Sequence, residues 1–221
     1  VPFVDAHRSP DAASPFAFRL YYRSVYPAAE LLVPSSGQWW YRLIDDRSGD
    51  SFFAPAESIR LLHPAEFTPL SPDVPLHEKA IEVSLDHQTL TAFERGAPVF
   101  HTAISSGRVA WQADPLAPRK FLTPAGDFNV FAKQPSRRMT DADISTLNGV
   151  NYPGVPWVAY VAENGTAFHG TYWHGNFGQP MSHGCINLLP LEAKWLYRWL
   201  LPPTAPGRES AEGSGTSVTI A

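Results

Sequence analysis

Proline occurs 22 times in this chain of 221 residues, spread along its length rather than gathered in one tract. That is about twice the ordinary share. Proline has no N–H to donate and a fixed φ, so it is excluded from helix interiors and central strands. A chain punctuated in this way is expected to be mostly β, with short strands and many turns. Hydrophobic residues make up 44%, enough to fill a core, and the length suits one large domain or two small ones. A formal net charge of -4 argues against nucleic-acid binding, which usually shows a basic excess. No run of about 18 apolar residues occurs, so no helical membrane span is expected. The chain starts at Val1 rather than Met, which reads as a processed or trimmed form. The absence of a visible signal peptide therefore says nothing about export.

Residues 1 to 18 lack periodicity and read as an arm or irregular edge. Gln38 to Ile44 reads as a strand, with Trp39, Tyr41 and Leu43 on one face and Trp40 and Arg42 on the other. "RSGD" turns the chain into a partner strand from Ser51. This Trp-Tyr-Arg strand, its turn and the "Pro-Ala-x-x-Ile-Arg" exit loosely resemble a small SH3-like barrel. "HPAEFTPLSPDVPLHEK" reads as a semi-rigid linker. It divides the chain into a small β module with linker at 1–75 and a second domain at 76–221. There Ile81, Val83 and Leu85 alternate with polar residues, Thr89 to Phe93 returns, and Val99 to Ser105 adds a third strand, giving a β-meander. Phe128 and Val130 continue the pattern after a turn at Pro124 to Gly126. Residues 132–155 read as a long polar loop, and "WVAYVA", "NG" and "TAFHG" as a hairpin delivering His169 at a strand end. One helix is clear. Pro190 suits its first position, Leu191, Trp195 and Trp199 recur at steps of four, and Pro202-Pro203 stops it. Residues 204–215 read as a flexible loop and "TSVTIA" as a closing strand.

The chemistry concentrates in "FHGTYWHGNFGQPMSHGCINLLP", residues 168–190, which holds three histidines and the only cysteine. A lone thiol is commonly a small buried hydrophobe, so its neighbours must argue otherwise. A free cysteine, with a pKa of about 8.5, is only slightly ionised at neutral pH, and a nearby imidazole that takes its proton makes it a nucleophile. His169, His174 and His183 are the candidates. Gly184 allows a sharp bend, so the N–H groups of residues 183–185 would converge on an oxyanion. His169, sixteen residues upstream of Cys185, can return to it across a loop, and the carbonyl of Gly170 would fix its tautomer.

"HGTYWHGNFGQPMSHGCIN" is similar to the signature of the L,D-transpeptidases of the YkuD fold, in which Ser-His-Gly-Cys-x-Asn/Arg follows a histidine and a short loop. The likeness extends from Lys79 to Ala221 and takes in "TPAG" and the closing "GTSVTI" strand. It implies a mostly β protein: an L,D-transpeptidase-like β-sandwich with one helix after the cysteine, preceded by the small SH3-like module. It also implies that Cys185 is the nucleophile and His169 the general base, oriented by Gly170. His183, Gly184 and Cys185 would supply oxyanion N–H groups, while Ser182 and Asn187 brace the loop. The implied reaction is acyl transfer between peptidoglycan stem peptides, without cofactor or metal, outside the cytoplasmic membrane. Carbapenems inhibit the family by acylating the same cysteine.

Tyr172 and Trp173 are expected beside the cleft, and Arg137 and Arg138 either as a solvated pair or as a grip on a substrate carboxylate. Trp39 and the helix tryptophans read as core, and the remaining histidines as surface residues. Three rivals stand against this reading. A zinc site would use the same histidines and Cys185, though at crowded spacings. A papain-like or amidase-type hydrolase would share the thiol–imidazole pair but usually places its cysteine before the histidine. A non-catalytic wall-binding protein would use the aromatics to stack on sugars.

Overall fold

The computed structural model describes residues 2–34, 37–110, 119–140, 151–204 and 211–221. They group into two units: Val1–Glu66 with Ser136–Pro156, and Phe67–Pro135 with Trp157–Ala221.

The first unit holds an antiparallel sheet of order β2-β1-β5-β4-β3. Its strands are β1 (Phe3–His7), β2 (Phe16–Tyr21), β3 (Ala28–Leu32), β4 (Trp40–Ile44) and β5 (Ser51–Pro55). Ala6, Leu20, Leu43, Phe52 and Ala54 form its core, with Phe18 and Tyr26 packed against them. Strand β4 begins at Trp40, one residue after Trp39, and burial does not follow the two expected faces, since Trp40 and Leu43 are both buried. Trp40 is buried, whereas Trp39 is 53% exposed and is not a core residue.

The stretch expected as a long polar loop instead contains β12 (Ala132–Thr140) and β13 (Asn151–Tyr160), and residues 141–150 lie outside the described set. Its two arginines are matched by the Asp45-Asp46 turn. Arg138 Nη1 lies 3.1 Å from Asp45 Oδ2, the Arg138 N–H donates to Asp46 Oδ1 at 2.8 Å, and Arg137 Nη1 lies 3.3 Å from Asp46 Oδ2. Burial works to raise the Asp45 carboxyl, but the Ser48 N–H, the Arg138 charge and the Arg47 N–H together hold it below its ordinary value.

The second unit is built on two sheets, giving the β-sandwich. One has the order β11-β17-β6-β7-β8, from β6 (Lys79–Ser84), β7 (Thr89–Glu94), β8 (Ala97–Ala103), β11 (Gly126–Asn129) and β17 (Ser217–Ile220). The meander is β6-β7-β8, and β17 closes beside β6 in parallel. The other sheet has the order β15-β14-β13-β12-β16, adding β14 (Ala167–Gly170), β15 (Ile186–Leu188) and β16 (Ala211–Glu212). Among the described residues, the strands β9 (Val109–Ala110) and β10 (Arg119–Lys120) form a separate pair. Alternation buries Ile81, Val83, Leu90, Ala92, Val218 and Ile220 from the first sheet, and Val158, Phe168, Ile186 and Leu188 from the second.

The single α-helix among the described residues is α1 (Pro190–Trp199), with proline in its first turn. It buries Ala193, Leu196, Tyr197 and Trp199. Trp195 is only half-buried and stacks on Phe100 at 4.2 Å between centroids. Two fully buried lysines close the C-terminal end of the helix. Lys79 Nζ donates to the carbonyls of Leu70 (3.1 Å) and Trp199 (3.0 Å). Lys133 Nζ donates to those of Tyr197 and Leu200, both at 2.7 Å. The last carbonyls of a helix lack intrahelical partners and carry its negative dipole end, so an ammonium satisfies both needs.

Candidate active site

The parallel pair β14 and β15 sets the geometry. Phe168 faces Ile186, His169 faces Asn187, and Gly170 faces Leu188. Paired residues of neighbouring strands share a face, and alternation carries Cys185, two residues before Asn187, toward the face of His169. The segment behind β15 is joined to the chain after β8 by two bridges, Ser105 with Asn187 and Gly107 with Ser182. The cysteine therefore sits where a loop enters a strand, with its backbone held on both sides.

Cys185 is partly exposed, and its thiol lies 3.7 Å from the Gly165 carbonyl as a weak donor. His169 is 2% exposed. Its Nδ1 lies 3.2 Å from the Gly170 carbonyl. A carbonyl only accepts, so Nδ1 carries the proton and Nε2 keeps its lone pair. Burial pushes the ring's pKa down to about 4, against the favourable Gly170 bond and with a small contribution from His174. At neutral pH the ring is thus a neutral base. Trp173 lies over it at 5.8 Å between centroids, and Tyr172, nearly buried, meets Trp173 edge-on at 4.9 Å.

Ser182 braces the loop from within. Its hydroxyl donates to the Cys185 carbonyl at 2.5 Å and accepts the Gly184 N–H at 3.1 Å. Of the three N–H groups expected at an oxyanion, that of Gly184 is therefore engaged by Ser182. Gly184 has φ +119, a conformation that favours glycine. His183 is exposed and meets Phe121 edge-on at 4.5 Å. Asn187 meets His174 through Nδ2 and Nε2 at 2.9 Å, while the Asn176 N–H donates to His174 Nδ1 at 3.3 Å. A neutral ring that accepts at Nδ1 carries its proton on Nε2. The Asn187 amide oxygen, otherwise buried without a partner among the described residues, is then the atom that belongs against it. Burial also lowers the His174 pKa. Arg137 and Arg138 belong to the first unit, where Asp46 and Asp45 occupy their guanidinium groups.

Sequence reasoning passed over the buried support beneath the loop. The Ser106 carbonyl accepts the N–H groups of Met181 and Ser182, both at 2.9 Å. Gln88 holds Ser106 in turn, its amide nitrogen donating to Ser106 Oγ at 2.7 Å and its oxygen accepting the Ser106 N–H at 2.8 Å. Thr123 accepts the Gly107 N–H at 2.8 Å and donates to the Gly184 carbonyl at 2.9 Å. The available signals are the polar run "ISSG" directly after an apolar strand and the threonine of "TPAG". Among the described residues no three or more His, Cys, Asp or Glu side chains are grouped to hold a metal ion.

The arrangement can perform nucleophilic acyl chemistry: an accessible thiol, a neutral imidazole on the neighbouring strand, and a rigid glycine-containing turn. An L,D-transpeptidase from Mycobacterium smegmatis covers 100% of both chains at 20% identity with a TM-score of 0.52, which shows the shared fold. A faropenem-derived adduct of L,D-transpeptidase 3 from Mycobacterium tuberculosis matches 65% of this chain and 60% of its own, at 20% identity and TM-score 0.49. An Enterococcus faecium L,D-transpeptidase variant matches 65% of this chain at 24% identity and TM-score 0.48. The chain spans about half the length of the first solved structures it matches, 49% and 50%. No functionally curated protein matches the sequence. The YkuD family, the L,D-transpeptidase catalytic domain, matches residues 78–220, and the chain belongs to that family.

Proposed function

We propose that this protein is a peptidoglycan L,D-transpeptidase, with Cys185 as nucleophile and His169 as general base. The observation that carries the reading is the pairing of β14 with β15. It brings a neutral imidazole, its Nδ1–H tied to the Gly170 carbonyl, beside a strand entered by a partly exposed cysteine. Because burial disfavours the imidazolium, His169 rests as a neutral ring ready to accept the thiol proton. The proton moves only as attack begins.

In the first half-reaction Nε2 of His169 takes the thiol proton as Sγ bonds to the carbonyl carbon of the diamino acid at stem position three. The carbonyl oxygen becomes an oxyanion facing backbone N–H groups of the 183–185 turn. Collapse breaks the C–N bond to the terminal D-alanine, whose amine takes the proton from His169 as it leaves. The thioester stores the acyl group, so no cofactor is needed. In the second half-reaction the side-chain amine of another stem attacks, gives its proton to His169, and expels the sulfur, which is reprotonated. The product is a 3→3 cross-link. Water in place of the amine gives a tripeptide and makes the protein an L,D-carboxypeptidase. Ser182 and Asn187 hold the loop, and Tyr172 and Trp173 line the donor side. Arg137 and Arg138 grip a substrate carboxylate only by giving up their aspartates. Carbapenems and penems would acylate Cys185. The work is extracytoplasmic, at the cell wall, with residues 76–221 catalytic and residues 1–75 an accessory SH3-like β module.

Incubation with a disaccharide-tetrapeptide, read by mass spectrometry of protein and products, tests this. An adduct on Cys185 with loss of D-alanine is expected, together with cross-linked dimer. Tripeptide alone would assign hydrolysis. Cys185→Ala is expected to keep the fold and lose all turnover. Intact substrate with tight wall binding would establish the non-catalytic rival, and full activity of the alanine variant would end the nucleophile assignment.

A further inference from the structure

Thr123 lies outside the histidine–cysteine motif but controls one of the two peptide planes that flank Cys185. Its side chain is buried, 6% exposed. Its one proton goes to the Gly184 carbonyl at 2.9 Å, and it accepts the Gly107 N–H at 2.8 Å. The platform beneath it is close-packed backbone. A Cβ on Gly107 would sit 1.9 Å from the Phe121 carbonyl oxygen and 2.6 Å from the Thr123 nitrogen. Phe121 is further tied by its N–H to the Arg108 carbonyl at 2.9 Å.

A trans peptide carries its C=O and the following N–H on opposite sides. Holding the Gly184 carbonyl toward Thr123 therefore aims the Cys185 N–H the other way. The next peptide plane is fixed separately, because the Cys185 carbonyl accepts from Ser182 Oγ. Glycine at 184, with φ +119, has no side-chain preference to hold that plane by itself. The hydrogen bond from Thr123 supplies what the glycine lacks.

We propose that Thr123 is a positioning residue for acyl transfer: by holding the Gly184 carbonyl, it orients the Cys185 N–H toward the oxyanion that forms when Sγ attacks a carbonyl. This rests on Cys185 being the nucleophile. Thr123 itself touches no reacting atom.

The test compares two reagents that react with the same sulfur, using Cys185→Ala as blank. With p-nitrophenyl acetate, Sγ attacks a carbonyl, an oxyanion forms, and p-nitrophenolate leaves. With iodoacetamide, Sγ displaces iodide from a saturated carbon and no oxyanion forms. Thr123→Val is expected to lower the acylation rate by about 100-fold, the loss typical of an oxyanion donor. Its alkylation rate and the pH profile of that rate are expected to stay at wild-type values, because these report thiolate formation. Thr123→Ser, which keeps the hydroxyl, is expected to restore acylation. Thr123→Ala, smaller and without the hydroxyl, serves if the valine variant does not fold.

Parallel loss of both reactions would overturn the proposal, as would wild-type acylation by the hydroxyl-free variants. Failure of both hydroxyl-free variants to fold, while the serine variant folds, would assign the hydroxyl to stability and also end it. Absence of acylation in the wild type would do the same. A wild type that is acylated by the ester but leaves the disaccharide-tetrapeptide intact would refute the substrate assignment alone. The ester and iodoacetamide comparison would still decide the role of Thr123.

Discussion

Acidification forces a proton onto a ring that the fold keeps dry. His169 is held neutral with its pKa pushed down to about 4, whereas an unfolded histidine titrates near 6.5. Between these values the unfolded chain binds the proton and the folded chain does not. The folded pKa is the depressed one, so stability falls as pH drops from about 6.5 toward 4 and levels off below. The full span is worth roughly 3 kcal/mol, and about 2 kcal/mol of it is lost by pH 5. In urea, a loss of that size moves the midpoint for the second unit down by about 1 M. Burial lowers His174 too, so it adds in the same direction. The lowered carboxyls of Asp5, Asp45 and Glu94 contribute stability that is lost only below about pH 4, in a separate window.

The direct assay is NMR titration of the His169 ring proton, which is expected to stay at its neutral position down to about pH 5. The energetic assay compares urea midpoints at pH 7 and pH 5 for the wild type and His169→Gln. The variant is expected to lose markedly less stability over that interval, retaining the share of His174. A ring titrating near 6.5, or a variant that loses as much as the wild type, would refute the account of a dry, neutral base.

Asp45→Ala is expected to cost about 3 kcal/mol in thermal or urea unfolding of the first unit, because it strands Arg138 and leaves the Ser48 and Arg47 N–H groups without their acceptor. Gly107→Ala is expected to destabilise by more than about 3 kcal/mol or to abolish folding, since its new Cβ would overlap the Phe121 carbonyl. Gly175→Ala meets nothing within 4 Å and is expected to stay within about 0.5 kcal/mol of the wild type. Circular dichroism melting of the two glycine variants side by side checks that contrast.

The parts of this fold written in local pattern were legible from the sequence. Alternation at Ile81 and Val83 gave the meander, and Pro190 with the later prolines bounded the helix. The family motif marked the segment around Cys185. Long-range partners were not legible. Lys133, Arg137 and Arg138 made residues 132–155 read as loop, because the groups that let them occupy a strand lie far away in sequence. Asp45 is 93 residues from Arg138, and the Tyr197 carbonyl is 64 residues from Lys133. Trp39 and Trp40 are adjacent and chemically identical, so nothing local to them tells which one is buried. Ser106 and Gln88 carry no motif of their own, and the threonine of "TPAG", Thr123, carries no sign of what it holds. Their importance comes from hydrogen bonds to backbone atoms of the nucleophile loop, and backbone atoms leave no mark in a sequence.

The two lysines at the end of α1 come from different sheets, Lys79 at the head of β6 and Lys133 near the start of β12. Side chains alternate between the two faces of a strand, so a slip of either strand by one position would carry its ammonium to the opposite face. Four carbonyls, those of Leu70, Tyr197, Trp199 and Leu200, would lose their donors in pairs. Each misaligned pairing would thus bury unmet acceptors and leave an amine without them, a penalty of several kcal/mol. The lysines act as alignment keys: they make the correct seating of each sheet depend on the same helix end, and they leave near-miss pairings with nowhere stable to rest.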